Sequence, residues 1–111
     1  MEIDYPNDAD GDALRRVART GSDMTAPMDI DFAVAVPDER SAQEVAEVIA
    51  TIGYSSRLWH NPEDLTWSVY CTKRMLATHV GILAAQAEID EKTRPFGGYS
   101  DGWGTFGNSG R

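Results

Sequence analysis

The chain has 111 residues, of which 41% are hydrophobic, and its 18 acidic residues against 10 basic ones give a formal net charge of −8. This length suits one domain that buries roughly two-thirds of the surface exposed by its unfolded chain. The excess acid makes RNA or DNA a poor direct partner, because phosphate neutralisation supplies most non-specific affinity for nucleic acids, and the lone cysteine excludes an internal disulfide framework.

A tail over residues 1–6 and a first helix from Asn7 or Asp8 to Thr20 are predicted at the start of the chain. The apolar residues of this helix share one stripe, and Gly21 is a typical stop at its C-terminus. Acidic residues near its start and arginines near its end suit the helix dipole. Because the tail has no apolar run, we expect no signal peptide and a cytoplasmic protein with no membrane contact.

The first strand is predicted over Met28–Val36. Its large apolar residues alternate with smaller or acidic ones, so one face belongs to the core. The other face begins with Asp29 and Asp31 and continues with alanines. This is the clearest strand in the sequence.

A second helix follows and ends at Gly53, where glycine is a typical stop. Ser41 and Glu44 have the spacing of a capping box, and Asp38 competes with Ser41 as the N-terminal cap. The apolar residues from Val45 onward recur at helical spacing. The sequence thus predicts an amphipathic helix with two possible caps.

Strands over Tyr54–His60 and Leu65–Thr72 are predicted to form a hairpin around the turn at residues 60–64. Alternation in the second strand places Cys71 on its apolar face. We therefore expect Cys71 to be a core residue and not a nucleophile.

A third helix is predicted from about Met75 to Lys92, before Pro95 and a last strand over Gly98–Phe106. One apolar stripe of this helix contains Leu76, Val80, Leu83 and Ala87.

After the first helix, the predicted order is strand, helix, strand, strand, helix, strand. Two split β-α-β units of this kind define a ferredoxin-like α+β fold, with two helices on one face of a four-stranded antiparallel sheet. The N-terminal helix is an addition to it. The first and third strands are expected at the centre because they are the most apolar, and residues 7–107 form the single domain, with tails at 1–6 and 108–111.

The last strand combines glycines with aromatic residues. Strand alternation places Tyr99, Asp101, Trp103 and Thr105 on one face. Trp103 then either fills the core or protrudes as a protein-binding anchor, since exposed tryptophan and tyrosine are enriched among binding hot spots. The structural glycines of the motif are Gly97, Gly98, Gly102 and Gly104.

Two runs of this strand region resemble the C-terminal signature of the regulator of ribonuclease activity B family. They are Gly97-Gly98 and Asp101-Gly102-Trp103-Gly104. An earlier stretch is also similar to this family: Gly21, Asp23-Met24 and Pro27 precede Ile30-Asp31-Phe32 of the first strand. The likeness runs from about Leu14 to Phe106. It implies a small cytoplasmic protein that binds a ribonuclease E-type endoribonuclease and lowers its activity without chemistry of its own.

Candidate groups for catalysis are sparse. His60, His79 and Cys71 do not stand at metal-ligand spacing with one another or with a carboxylate cluster. We therefore expect no catalytic residue, no bound metal and no cofactor. The third strand also lacks the basic and glycine residues of an RNA-recognition signature, and Asp29 and Asp31 would repel RNA.

These arguments predict a protein-binding regulator whose partner has a basic surface, with a ribonuclease E-type enzyme as the partner that the resemblance implies. Two alternatives stay open: an antagonist or adaptor for another protein, such as a different nuclease or a toxin, and a small-molecule-sensing domain. The candidate protein-binding residues are Tyr99, Asp101, Trp103, Asp29 and Asp31.

Overall fold

The computed structural model describes residues 5–109, so the predicted tail residues 1–4 and 110–111 lie outside the described part of the chain. Three helices and four strands make up the domain, and a short 3-10 turn precedes the last strand. In chain order they are α1 (Ala9–Arg19), β1 (Met28–Val36), α2 (Glu39–Ala50), β2 (Ser55–His60), β3 (Trp67–Met75), α3 (His79–Thr93), the turn Arg94–Phe96 and β4 (Tyr99–Thr105).

The four strands form one antiparallel sheet in the order β2-β3-β1-β4. The predicted central position of β1 and β3 is therefore confirmed, as is the α+β class with a four-stranded antiparallel sheet. β1 and β3 pair without interruption from Met28↔Met75 to Val36↔Trp67. β2 and β4 are the edges.

The core lies between one face of the sheet and the helices. Alternate residues of β1 from Met28 to Val36 are buried, and they pack with Val45 and Ile49 of α2 and Leu14 of α1. The Phe32 ring meets Tyr54 edge-on, with centroids 6.0 Å apart. Tyr5, just ahead of α1, is also buried in this cluster.

Asp38, not Ser41, caps α2. The Asp38 side chain accepts a hydrogen bond from the Ser41 amide at 2.8 Å, and the helix begins at Glu39. Ser41 is therefore already inside the first turn, and of the two possible caps Asp38 is the one that the helix uses. The Ser41 amide and hydroxyl lower the pKa of Asp38, the amide having the larger effect.

The third helix buries a different face from the predicted stripe. It begins at His79, with Thr78 as its cap, so Leu76 precedes the helix. Val80 is 79% exposed, and Leu76 and Leu83 are also exposed. Because apolar residues occur all around this helix, periodicity could not identify the inner face. The buried residues are Ile82, Ala85, Ile89 and Thr93.

The hairpin turn is longer than predicted, so β3 begins later in the chain than expected. Leu65 adopts a left-handed φ of 62° and is exposed. Backbone hydrogen bonds from Leu65 to the Asn61 carbonyl and from Asn61 to the Thr66 carbonyl close the loop. β3 therefore starts at Trp67 and continues to Met75, beyond the predicted end at Thr72. Within residues 5–109, no helix has the length and apolar character needed to cross a membrane.

Candidate protein interface on the uncovered face of the sheet

A bulge in β4 decides where its side chains point. Trp103 pairs with Phe32 and Ser100 pairs with Val34, so Asp101 and Gly102 together oppose Ala33. Gly102 has a φ of 96°, which favours glycine, as in many bulges of this kind.

The predicted shared face of Tyr99, Asp101 and Trp103 is consequently wrong. Trp103 lies on the same side as Phe32, towards the helices, whereas Tyr99 pairs with Ala35 on the opposite side. The extra residue in the bulge reverses the alternation between them.

The side of the sheet opposite the core, here called the open face, bears the side chains that alternate with the buried ones. In the register of the strands it is formed by Asp29, Asp31, Ala33 and Ala35 of β1, Arg57 and Trp59 of β2, Ser68, Tyr70, Thr72 and Arg74 of β3, and Tyr99 and Asp101 of β4. Four of the five predicted binding residues belong to it.

The open face has aromatic side chains around a shallow central area formed by the alanines of β1. Trp59 is 55% exposed and Tyr99 is 59% exposed. The indole N–H of Trp59 donates to the Asn61 side-chain oxygen at 3.0 Å, which fixes the ring. The Arg57 guanidinium lies 5.3 Å from the centroid of the Tyr70 ring, within cation-π range.

Two shallow grooves cross the central area of the open face. One, of about 510 Å³, runs beside Ala33 and Asp31 to the second half of β4. The other, of about 330 Å³, lies between Ala35, Tyr99 and the hairpin loop. Small residues in the centre and aromatic rings at the sides make the surface suited to the protruding side chains of another protein.

The acidic groups of the open face differ in how firmly they are held. Asp31 accepts a hydrogen bond from the Thr72 hydroxyl. Asp29 lies 3.5 Å from Arg74, and since both side chains are about two-thirds exposed, this ion pair contributes little to stability. The Asp101 side chain is exposed in the bulge. Asp29 and Asp101 are therefore exposed, whereas Asp31 is half-buried and hydrogen-bonded.

Trp103, the fifth predicted residue, joins three elements. Its half-buried ring packs against the core. Its indole N–H donates to Asp10 of α1 at 2.8 Å, and the Gln86 amide of α3 reaches the same oxygen at 3.5 Å. Next to this link, Asp8 bonds to His79 at 2.9 Å. The Trp103 indole thus attaches α1 to the sheet, and Gln86 attaches α3 to the same Asp10 carboxylate.

The glycines of the motif have two different uses. A Cβ on Gly98 would lie 3.0 Å from both Thr93 Cβ and Val34 Cγ1, so close packing against α3 requires its small size. Gly97 has a φ of 78° at the end of the 3-10 turn. Gly104, by contrast, has open space where a side chain would be.

The candidate catalytic groups each have a structural setting of their own. His60 stacks on Trp67 with ring centroids 4.8 Å apart, and His79 bonds to Asp8. Cys71 is fully buried, and burial raises the pKa of its thiol to about 12. Among residues 5–109, no group of three His, Cys, Asp or Glu side chains could hold a metal ion.

Sequence reasoning did not identify Arg57, Trp59 or Tyr70 as part of a candidate site. The signal was present, because alternation in the hairpin puts these residues on the face opposite Val69 and Cys71. They line the same surface as Tyr99, from the other end of the sheet.

In class, this is a small α+β domain with one sheet face packed against helices and the other not covered by any helix of residues 5–109. Compared with models of known families, residues 7–105 match the family described as Regulator of ribonuclease activity B. The chain belongs to this family, which confirms the resemblance of the glycine-tryptophan motif. The family is one of regulators of ribonuclease activity. No curated protein matches the chain significantly.

Proposed function

We propose that this protein binds an endoribonuclease of the ribonuclease E type through the open face and thereby lowers its activity, without catalysis of its own. The observation that carries the proposal is the exposure of Trp59 and Tyr99 on a rigid, uncovered sheet in a member of a ribonuclease-regulator family. Such anchors around small residues are what protein-binding hot spots require.

The charge of the molecule supports the same mode of action. The net charge is −8, and Asp29, Asp31 and Asp101 lie on or beside the open face. Opposite charge on the partner speeds encounter and fixes orientation more than it adds affinity. A basic protein surface on the ribonuclease is thus the expected counterpart, and binding is expected to weaken as salt increases.

The finer fold assignment is part of the proposal. The strand order β2-β3-β1-β4, with helices between β1 and β2 and between β3 and β4, supports a ferredoxin-like arrangement with α1 added. We assign residues 7–107 to one domain that acts in the cytoplasm, where ribonuclease substrates are found.

The test is a binding and RNA-cleavage assay with a purified ribonuclease E-type enzyme from the organism of origin. Wild-type protein is expected to bind it and to slow cleavage. Loss of both rings in Trp59→Ala/Tyr99→Ala is expected to weaken binding about 30-fold or more, because each anchor contributes on the order of 1–2 kcal/mol.

The matched control is Val80→Ala/Leu83→Ala, which removes two exposed apolar side chains from α3 on the other side of the molecule. This variant is expected to bind like the wild type. Equal losses in the two double variants, or no binding by the wild-type protein, would refute the proposal. Circular dichroism of both variants checks that the fold is retained.

A further inference from the structure

The two halves of the edge strand β4 differ in how they are covered. In the first half, the Ser100 amide donates to the Asp90 carboxylate of α3 at 3.1 Å. From the bulge onwards, β4 remains at the edge of the sheet, Gly102 and Gly104 are exposed, and neither glycine has a side chain that would cover the backbone. An edge strand directs alternate N–H and C=O groups away from its sheet. The second half of β4 therefore offers backbone groups along an accessible edge.

The sequence of β4 lacks two of the usual obstacles to pairing with another strand. Natural edges are commonly protected by lysine or proline, and β4, Tyr99–Thr105, has neither. The bulge at Gly102 protects the strand at that point alone. Beyond it, Phe106 is fully exposed at the end of the strand.

A groove lies on each side of this same half-strand. The one on the helix side, of about 450 Å³, separates β4 from α1 and is lined by Ala13, Arg16, Val17, Trp103 and Phe106 among others. The one on the open face, of about 510 Å³, includes Asp31 and Asp101. The side chains of an added strand would alternate between these two grooves.

The two grooves differ in charge: Arg16 lines the groove on the helix side, whereas the groove on the open face has two carboxylates and one cation, Arg57. Arg16 is exposed on the helix side and pairs with no carboxylate of residues 5–109. On the other side, Asp31 and Asp101 supply carboxylates. A strand that suits both grooves has basic side chains on one face and apolar or acidic side chains on the other.

We propose that the second half of β4 receives an extended peptide segment of the protein partner as a fifth strand, with lysine or arginine towards Asp31 and Asp101 and a carboxylate or apolar residue towards Arg16. Main-chain hydrogen bonds supply affinity in such strand addition, and the two grooves supply specificity. The inference rests on the proposed function and specifies how the ribonuclease would contribute to the contact.

The experiment uses a short synthetic peptide in which lysine and valine alternate. Its central valine is replaced by glutamate. A peptide of the same composition without alternation is the control. Binding is measured by titration, and amide hydrogen exchange is followed by NMR. The alternating peptide is expected to bind about tenfold more tightly than its control and to slow exchange of β4 amides between Gly102 and Phe106, while α2 amides keep their rates.

Two variants test the charge of the helix-side groove. Arg16→Glu is expected to weaken peptide binding about tenfold, whereas Arg19→Glu, the same charge change on the same helix but outside the lining of the groove, is expected to have a small effect. Failure of the peptide to bind, binding without slower exchange in β4, or equal effects of the two variants would overturn the inference.

These measurements contain no ribonuclease, so their failure is distinct from failure of the proposed function. Displacement of the peptide by the purified ribonuclease would then place both on the same edge. Simultaneous binding of peptide and ribonuclease would contradict strand addition by the enzyme.

Discussion

The indole N–H of Trp103 donates a hydrogen bond to the carboxylate of Asp10, 2.8 Å away and 93 residues earlier in the chain. This contact joins the edge strand β4 to α1, and α1 is further held by the bond between Asp8 and His79. The tryptophan of the family motif is therefore a structural link on the core side, beside the surface proposed to bind the partner.

Trp103→Ala is expected to destabilise the protein by about 3 kcal/mol, since it removes both the packing of the ring and a bond to a carboxylate. Trp103→Phe keeps most of the packing and is expected to cost about 1–2 kcal/mol. Urea unfolding of the wild type and both variants measures the difference. Unchanged stability in Trp103→Ala, combined with lost partner binding, would show that the ring is an anchor for the partner instead.

Substitution by alanine is expected to destabilise the protein at Gly98 and to have little effect on stability at Gly104. Gly98→Ala forces a Cβ to within 3.0 Å of Thr93 and Val34, and we expect a loss of about 1–3 kcal/mol. Gly104→Ala meets open space and should change stability by less than about 0.5 kcal/mol. Thermal unfolding compares them, and similar effects at both sites would contradict the close packing of Gly98.

Stability is expected to fall in acid. The pKa values of three carboxyls are lowered chiefly by backbone amides that bond to them. A group with a lowered folded-state pKa stabilises the fold above its unfolded pKa of about 4, and this stabilisation is lost as the pH falls through the folded value. The three pairs are Asp8 with Gly11, Asp38 with Ser41 and Asp90 with Ser100.

The free energy of unfolding, measured from pH 7 to pH 3, should therefore stay level to about pH 5 and decrease below about pH 4. Asp38→Ala should lower the unfolding midpoint at pH 7 and make the decrease in acid smaller, whereas Ser41→Ala retains the amide that bonds to Asp38. A free energy that is constant down to pH 3 would contradict this account.

Cys71 should be unreactive in the folded protein. Its side chain is fully buried, and burial raises the pKa of the thiol to about 12, so almost no thiolate exists at neutral pH. A chromogenic disulfide reagent should modify it about 100-fold more slowly in native buffer than in denaturant. Rapid modification of the native protein would show that this part of the core opens readily.

Alternation and capping predicted much of the fold because they are local properties. β1 was found with its observed bounds, since Met28–Val36 alternates strictly and is flanked by proline at both sides. The inner face of α3 could not be predicted, because Val80 and Ile82 are equally apolar and the packing of neighbouring elements decides between them.

The candidate site was predicted in part, and the reason lies in the bulge. Tyr99 was one of the candidate binding residues and is exposed, but its face relative to Trp103 depends on one residue inserted between them, which alternation does not reveal. Arg57, Trp59 and Tyr70 come from other strands. Their position on the same face as Tyr99 follows from the pairing of the whole sheet, which the sequence of one strand does not contain.

Gly102, which has a left-handed backbone conformation, divides β4 into two segments whose side chains have different structural roles. Substitution of Tyr99, ahead of it, alters the open face, whereas substitutions behind it act both on the attachment of the first helix and on the edge proposed to receive a partner strand. Removal of one of the two bulge residues would leave a regular ladder in which Trp103 still pairs with Phe32 and Tyr99 still pairs with Ala35, so both rings would keep their faces. A one-residue deletion there is thus expected to be less damaging than a deletion that breaks the pairing of Trp103 with Phe32.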